Sequence, residues 1–296
     1  MRISLIFLVC LAVLAGLGFP TDAQSQDRMQ RLLGELSNAS GPSGFEGPVR
    51  AILEREMRSA GVEISTDGLG SIVGVIRGPA DGPRIMLAAH MDEVGAIVRY
   101  LTPEGMVKFQ SLGGWLDQAL PDQRWTIMTA KGPLPAISGL KSVHVTSQEE
   151  RSRVTPRDDI FLDVEAVSKE EAEVLGIRPG DAIVPASSFQ EFAHGRYVGK
   201  ALDDRVGCVM LLETLHRIKE QGIRTPNTIY FVGTVQEEVW FTGRPYSRRR
   251  SQSRSRNLIG GRYRGGPPRR SPRLGARTFG GGARDLPCRR TDAGEP

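Results

Sequence analysis

The segment Arg84-Ile85-Met86-Leu87-Ala88-Ala89 is apolar without alternation after its first residue, and it ends on His90-Met91-Asp92-Glu93. A strand of that kind reads as buried on both faces, so a chain that contains it needs helices to cover a sheet. Segments able to supply them lie nearby. Met29, Leu32, Leu33 and Leu36 recur at helical spacing between Asp27 and Leu36, and a second helix is expected from Pro48 to Ala60. Val62 to Ser65 and Ser71 to Arg77 read as strands, and Thr228–Gly233 as another. Between them, Val206, Val209, Met210, Leu212, Leu215 and Ile218 form the apolar stripe of a helix over 204–220. Helices that follow and precede buried strands predict an α/β sandwich.

From Val94 to Tyr197 the texture changes to short β-prone pieces separated by Gly and Pro: Ala96–Leu101, Met106–Phe109, Trp125–Met128, Ile160–Val164 and Ala182–Pro185. This reads as a β-rich insertion, 95–190, that splits a sheet domain into 24–94 and 191–239. At Trp240 the texture changes again, to Arg, Gly, Pro and Ser. A segment of that composition cannot bury a core, so 240–296 is expected to be a disordered basic tail. The net charge of +5 belongs to that tail, whose fifteen Arg face three acids, a surplus of 12; the first 239 residues stand at −7.

Two smaller features complete the organisation. Residues 1–23, with the apolar run Leu5 to Phe19 followed by Pro20, Thr21 and Ala23, have the pattern of a signal peptide. The run is too short to span a bilayer comfortably. A secreted or periplasmic protein, free of the membrane after cleavage near Gln24, is therefore expected. Only Cys208 and Cys288 would then remain, without redox or metal-ligand spacing.

Three acid-bearing motifs carry the chemistry. His90 sits at the C-terminal end of a strand, where open α/β sheets place their ligand sites, and Asp92 follows two residues on. A neutral imidazole suits zinc or cobalt, and a carboxylate on its other nitrogen would fix the tautomer. Gly199-Lys200-Ala201-Leu202-Asp203-Asp204-Arg205 brings an acidic pair to a helix start, where Asp is also a common cap, so Asp204 admits that plainer role. Thr234-Val235-Gln236-Glu237-Glu238 ends the last strand on two adjacent carboxylates that point apart, one free to hold a metal while the other faces substrate. His216 reads as a partly buried helix residue, and His144 and His194 lie in the insertion and its exit loop.

Together these motifs resemble the two-metal aminopeptidases of peptidase family 42 in clan MH, of the glutamyl aminopeptidase or tetrahedral (TET) type. The resemblance runs from about Arg31 to Val239. It includes Ala39-Ser40-Gly41-Pro42-Ser43-Gly44-Phe45-Glu46, the segment Lys141 to Arg151, and Ser168-Lys169-Glu170-Glu171-Ala172. It implies that His90 and Glu238 each ligate one of two divalent metal ions, Zn²⁺ or Co²⁺, and that Asp203 bridges them. Glu237 would be the general base and Asp92 the partner orienting His90. It also implies a mixed sheet flanked by helices, an inserted β-barrel-like dimerisation domain at 95–190, peptide substrates and a homo-oligomer, a dodecamer in the family.

After Val239 the family pattern stops. The resemblance calls for a Gly-Leu-Arg-Gly-Ala segment, a further acidic ligand and a late His, yet no His follows His216. The codons of Trp240 to Ser247, read from the second base, allow Gly-Leu-Arg-Gly-Ala-Arg-Thr. At the same offset Gln252 to Gly261 allows Asn-Pro-Asp-Leu-Gly-Ile-Ser-Leu-Glu. The tail therefore reads as an out-of-frame product, and the chain as written is expected to be inactive because its C-terminal ligands are missing. The alternative is a non-catalytic scaffold whose Ser-Arg run at 247–256 binds nucleic acid or another acidic partner. Secretion makes nucleic acid an unlikely partner. A glycosidase reading needs a carboxylate pair astride a sugar and fits the His-Asp-Glu set least well.

Overall fold

The computed structural model describes residues 22–239. Residues 1–21 and 240–296, with the signal-peptide, secretion, disorder and reading-frame expectations attached to them, lie outside the described residues.

Two helices open the fold, α1 (Asp22–Asn38) and α2 (Gly47–Ser59), the second with Pro48 in its first turn, where a missing N–H costs nothing. Strands β1 (Glu63–Thr66), β2 (Ile72–Ile76) and β3 (Arg84–His90) follow. After the intervening segment come α3 (Leu202–Glu220) and the last described strand, which is numbered below.

The segment between β3 and α3 forms a closed barrel. Its strands are β4 (Gly95–Leu101), β5 (Val107–Leu112), β6 (Arg124–Thr129), β7 (Gly132–Gly139), β8 (Phe161–Asp163) and β9 (Ala182–Pro185), in the order β4-β5-β8-β7-β6-β9. Val98, Val107, Trp125, Ile127, Leu162 and Ile183 fill it. A small hairpin, β10 (Gln190–Phe192) and β11 (Arg196–Val198), leads back to α3.

The last strand, β12 (Thr228–Thr234), inserts between β2 and β3 to give the sheet order β1-β2-β12-β3. It runs antiparallel to β2 and parallel to β3, so the sheet is mixed. Its register with β3 pairs Thr234 with His90. Two strand ends therefore stop at the same height, and the loops that leave them start side by side. Helices α1, α2 and α3 pack one core against this sheet, through Leu32, Leu36, Leu53, Met57, Leu212 and Leu215 against Ile72, Ile229 and Phe231. Each such side chain contributes about 1.5–3 kcal/mol when fully buried.

The structure corrects the reading of β3. Its residues alternate: Ile85 and Leu87 turn to the helix-covered core, whereas Met86 is 60% exposed. The cause is coverage, because the helices pack on the face that Ile85 and Leu87 line and not on the one that Met86 lines; β3 is also an edge strand, with β12 as its one sheet neighbour among the described residues. The helix expected at 204–220 is preceded by a turn from Leu202, with non-helical backbone at Asp203 and Asp204, and Asp204 Oδ1 accepts the N–H of Gly207 at 3.0 Å. Asp204 thus caps the regular helix.

Strand β7 is absent from the sequence reading, since Gly132-Pro133-Leu134-Pro135 argues against a strand. It forms because both prolines have the same parity, which turns both missing donors to one side, and β8 pairs only with Ile137–Gly139.

Candidate metal centre

Three loops meet above the aligned ends of β3 and β12. His90 closes β3, Glu237 and Glu238 follow β12, and Asp203 stands at the start of α3. One ligand atom each from His90, Glu237 and Glu238 lie within 4.8 Å of one another, a nitrogen and two carboxylate oxygens. Asp203 reaches the group through His90, its Oδ1 standing 3.1 Å from His90 Nε2, and is otherwise 90% exposed. Glu237 Oε2 lies 3.9 Å from the same nitrogen and is half-exposed.

Asp92 lies beneath this group and is fully buried. Its Oδ2 accepts from the Ser43 hydroxyl at 2.5 Å and from the N–H of Glu238 at 3.0 Å, while Oδ1 accepts from the N–H of Glu237 at 3.0 Å. One carboxylate thus holds the backbone of both neighbouring glutamates. Its contact with His90 is looser than the expected orienting bond. Nδ1 is 3.5 Å from Asp92 Oδ1 but 3.1 Å from the Asp92 carbonyl, so the backbone shares in setting the imidazole.

The electrostatics follow from this packing. Burial pushes the Asp92 carboxyl up, but His90, Ser43 and the amides of Glu238 and Glu237 outweigh it and hold the group at about 2. Burial pushes His90 down, and the Asp92, Asp203 and Glu237 carboxylates reverse that and lift it to about 9. Burial also raises the Glu238 carboxyl, with His90 opposing.

A pH dependence follows. The depressed Asp92 contributes stability above its ordinary 3.8 that is lost as pH falls through about 2. The raised His90 contributes fully below 6.5 and is lost as pH rises through about 9. These shifts share one interaction, so the metal-free protein receives its full benefit between about pH 4 and 6.5. Asp92→Asn removes the charge and turns an NH₂ toward groups that already donate. It should cost about 1–3 kcal/mol and flatten the alkaline limb of the stability profile. Thermal melts of both proteins from pH 5 to 9 check this; superimposable curves would remove Asp92 from its supporting role.

Several neighbours stand inside the quoted motifs without having been assigned a role. Ser43, Glu93, Lys200 and Arg205 are ordinary residue types until the loops converge. Gly113, after β5, has φ +83°, and a Cβ there would lie 3.2 Å from Glu238 Oε2 and 2.7 Å from Val94. Bare backbone from the barrel therefore walls one side of Glu238. Trp115 anchors this loop by donating to the Gly95 carbonyl at 3.1 Å, and Arg157 donates to the Trp115 carbonyl at 2.9 Å. Cys208 is buried with its Sγ 3.4 Å from the His90 carbonyl, and burial lifts its thiol to about 12, so it stays a packed thiol.

The family model described as M42 glutamyl aminopeptidase matches residues 70–253, ending inside the Arg-rich segment. The glutamyl aminopeptidase of Lactococcus lactis subsp. cremoris (strain MG1363) is 36% identical over 215 residues, 70% of this chain and 59% of that protein. The crystal structure of a TET aminopeptidase from the marine sediment archaeon Thaumarchaeota archaeon SCGC AB-539-E09 superposes with a TM-score of 0.70 at 44% identity. That match covers 72% of this chain and 60% of the other. The Pyrococcus horikoshii TET1 peptidase, which can assemble into a tetrahedron or a large octahedral shell, matches at 30% identity and a TM-score of 0.64, covering 72% and 62%. The chain thus spans about three-fifths of the length of these relatives.

Proposed function

The chain belongs to the M42 glutamyl aminopeptidase family, and from that premise we propose that it carries part of a two-metal aminopeptidase site that removes N-terminal residues from peptides. The observation that carries the reading is the convergence of His90, Glu237 and Glu238 from two strand ends, with Asp203 against His90.

Peptidases of this family are divalent-metal enzymes. The residues present fit such an ion, because an imidazole and open carboxylates suit a borderline cation such as Zn²⁺ or Co²⁺. In the proposed centre His90 and Glu238 would hold one ion each, with Asp203 as the carboxylate shared between them. When bound, the cations supply Lewis acidity and make a water a better nucleophile. Glu237 faces the open side, where its carboxylate can take a proton from water and return it to the leaving amine. Asp92 acts from below, holding His90, Glu237 and Glu238 in one frame.

We further propose that the chain as written is inactive. The resemblance calls for two more ligands beyond Glu238, and a site short of ligands binds its metals poorly. The test is a comparison of this chain with one whose reading frame is restored after Val239, assayed on aminoacyl anilides with free and blocked amines, with and without chelator.

The barrel is proposed to mediate self-association. Leu116 is 70% exposed and Val145 75%, with Ile137, Val143 and Val154 also open, an apolar surface that one copy leaves wet. A frame-restored chain carrying Val143→Glu and Val145→Glu should scatter light as a much smaller particle than its parent while retaining bound metal. An unchanged particle mass would place the interface elsewhere.

A further inference from the structure

Asp203 is the most exposed member of the centre, and its carboxylate reaches His90 alone among the described contacts. Something other than its own side chain must set where it stands. Lys200 and Arg205, which flank it in sequence, both turn inward, the Lys200 side chain 8% exposed and Arg205 fully buried. Lys200 Nζ donates to Glu93 Oε1 at 2.6 Å and to the Ala39 carbonyl at 3.2 Å. Arg205 Nη1 donates to the carbonyls of Leu36 at 2.5 Å and Ala39 at 3.2 Å, and its Nη2 lies 3.8 Å from the same Glu93 oxygen. Glu93 also accepts the N–H of Gly41 at 3.0 Å, and the Ser37 hydroxyl donates to the Lys200 carbonyl at 2.7 Å.

Glu93 belongs to the loop that carries His90 and Asp92, whereas the two cations belong to the segment that carries Asp203. One buried carboxylate therefore registers one ligand-bearing segment against the other. The chain between the cations passes through Ala201 at φ +56°, a left-handed conformation that an alanine holds only when its surroundings impose it. A buried ion pair is a poor source of stability, since an apolar pair of the same shape does as well or better. Arg205 also leaves Nε and Nη2 without a hydrogen-bond partner, a cost that packing alone does not account for.

We propose that Lys200 and Arg205, joined through Glu93, are positioning residues that hold Asp203 opposite His90 before any ion arrives. The proposal rests on the reading of Asp203 as a metal ligand.

The test uses the full chain with Lys200→Met, which keeps the stem and leaves Glu93 with Arg205 as its counter-ion. Charge neutralisation alone then predicts little change. The positioning role predicts at least about tenfold faster amide exchange in residues 201–207 of the metal-free protein, with α1, α2 and β12 unchanged. It also predicts Co²⁺ affinity lower by about 10–100-fold, the usual effect of losing a group that orients a ligand. Lys200→Arg should keep slow local exchange. Unchanged exchange at 201–207 in Lys200→Met, or exchange that rises equally throughout, overturns the proposal. So does Lys200→Met with faster local exchange and undiminished Co²⁺ affinity. If local exchange alone rises and neither protein binds Co²⁺ even with the reading frame after Val239 restored, Lys200 still positions Asp203 and the metal-centre reading is what fails.

Discussion

In a frame-restored chain, Glu237→Gln should keep its bound metal and turn over substrate about 10²–10⁴-fold more slowly, the usual contribution of a general base. The loss should fall on turnover, because the substitution leaves the site's frame intact. The Glu237 backbone is held by Asp92 through its N–H, as is that of Glu238, and neither bond involves the Glu237 side chain. Gln has nearly the same shape, so His90, Asp203 and Glu238 keep their places. What disappears is a half-exposed carboxylate 3.9 Å from His90 Nε2. Metal content by mass spectrometry and steady-state rates on an aminoacyl anilide separate the two effects. Full activity with full metal would assign the proton transfer to another group, and loss of metal would make Glu237 a ligand.

The second large effect separates the chain as written from its frame-restored form. The former should show no aminopeptidase activity above background and weak metal binding, and the latter should show both activity and its loss on chelation. The grounds are partly chemical, since ligand count sets affinity and the resemblance calls for two ligands that do not follow Glu238. They are also architectural. Strand β3 has an apolar sequence but leaves Met86 exposed on one face and, among the described residues, pairs with β12 alone, so its other edge is open to a further strand. A further strand and bound metals would each add stability, so the restored chain should also melt at higher temperature when loaded with metal. Sequencing the DNA around codon 239 decides the matter directly. One extra base, or two missing ones, is expected near that codon, followed by an open frame encoding an acidic ligand and a later His. Stop codons before either would end it and leave the tail to be explained as a genuine basic extension.

Much of the scaffold is legible without coordinates because it rests on local periodicity. The apolar spacing of α1, α2 and α3 marks their buried faces, and the strand ends that carry His90 and Glu237-Glu238 follow from short runs with clear borders. Strand β7 is not legible, since its two prolines are tolerable only given where β8 stops pairing. The edge position of β3 is equally hidden, because an apolar run has the same composition whether one neighbour or two flank it.

The candidate site divides along the same line. His90, Asp92, Asp203, Glu237 and Glu238 stand out in the sequence because donor-bearing residues at element ends are rare enough to notice. Their mutual distances depend on the parallel register that pairs Thr234 with His90, a contact between residues 144 positions apart that no local pattern encodes. The groups that support them are quieter still. Glu93, Lys200 and Arg205 would pass in sequence as solvated surface charges, and only the approach of the 37–46 loop and α3 removes water from them. Sequence determined which side chains could do the chemistry, because that is a property of residue type and local position. Tertiary structure decided which charges are buried and which carboxylates face one another, because desolvation and pairing arise only when distant segments pack.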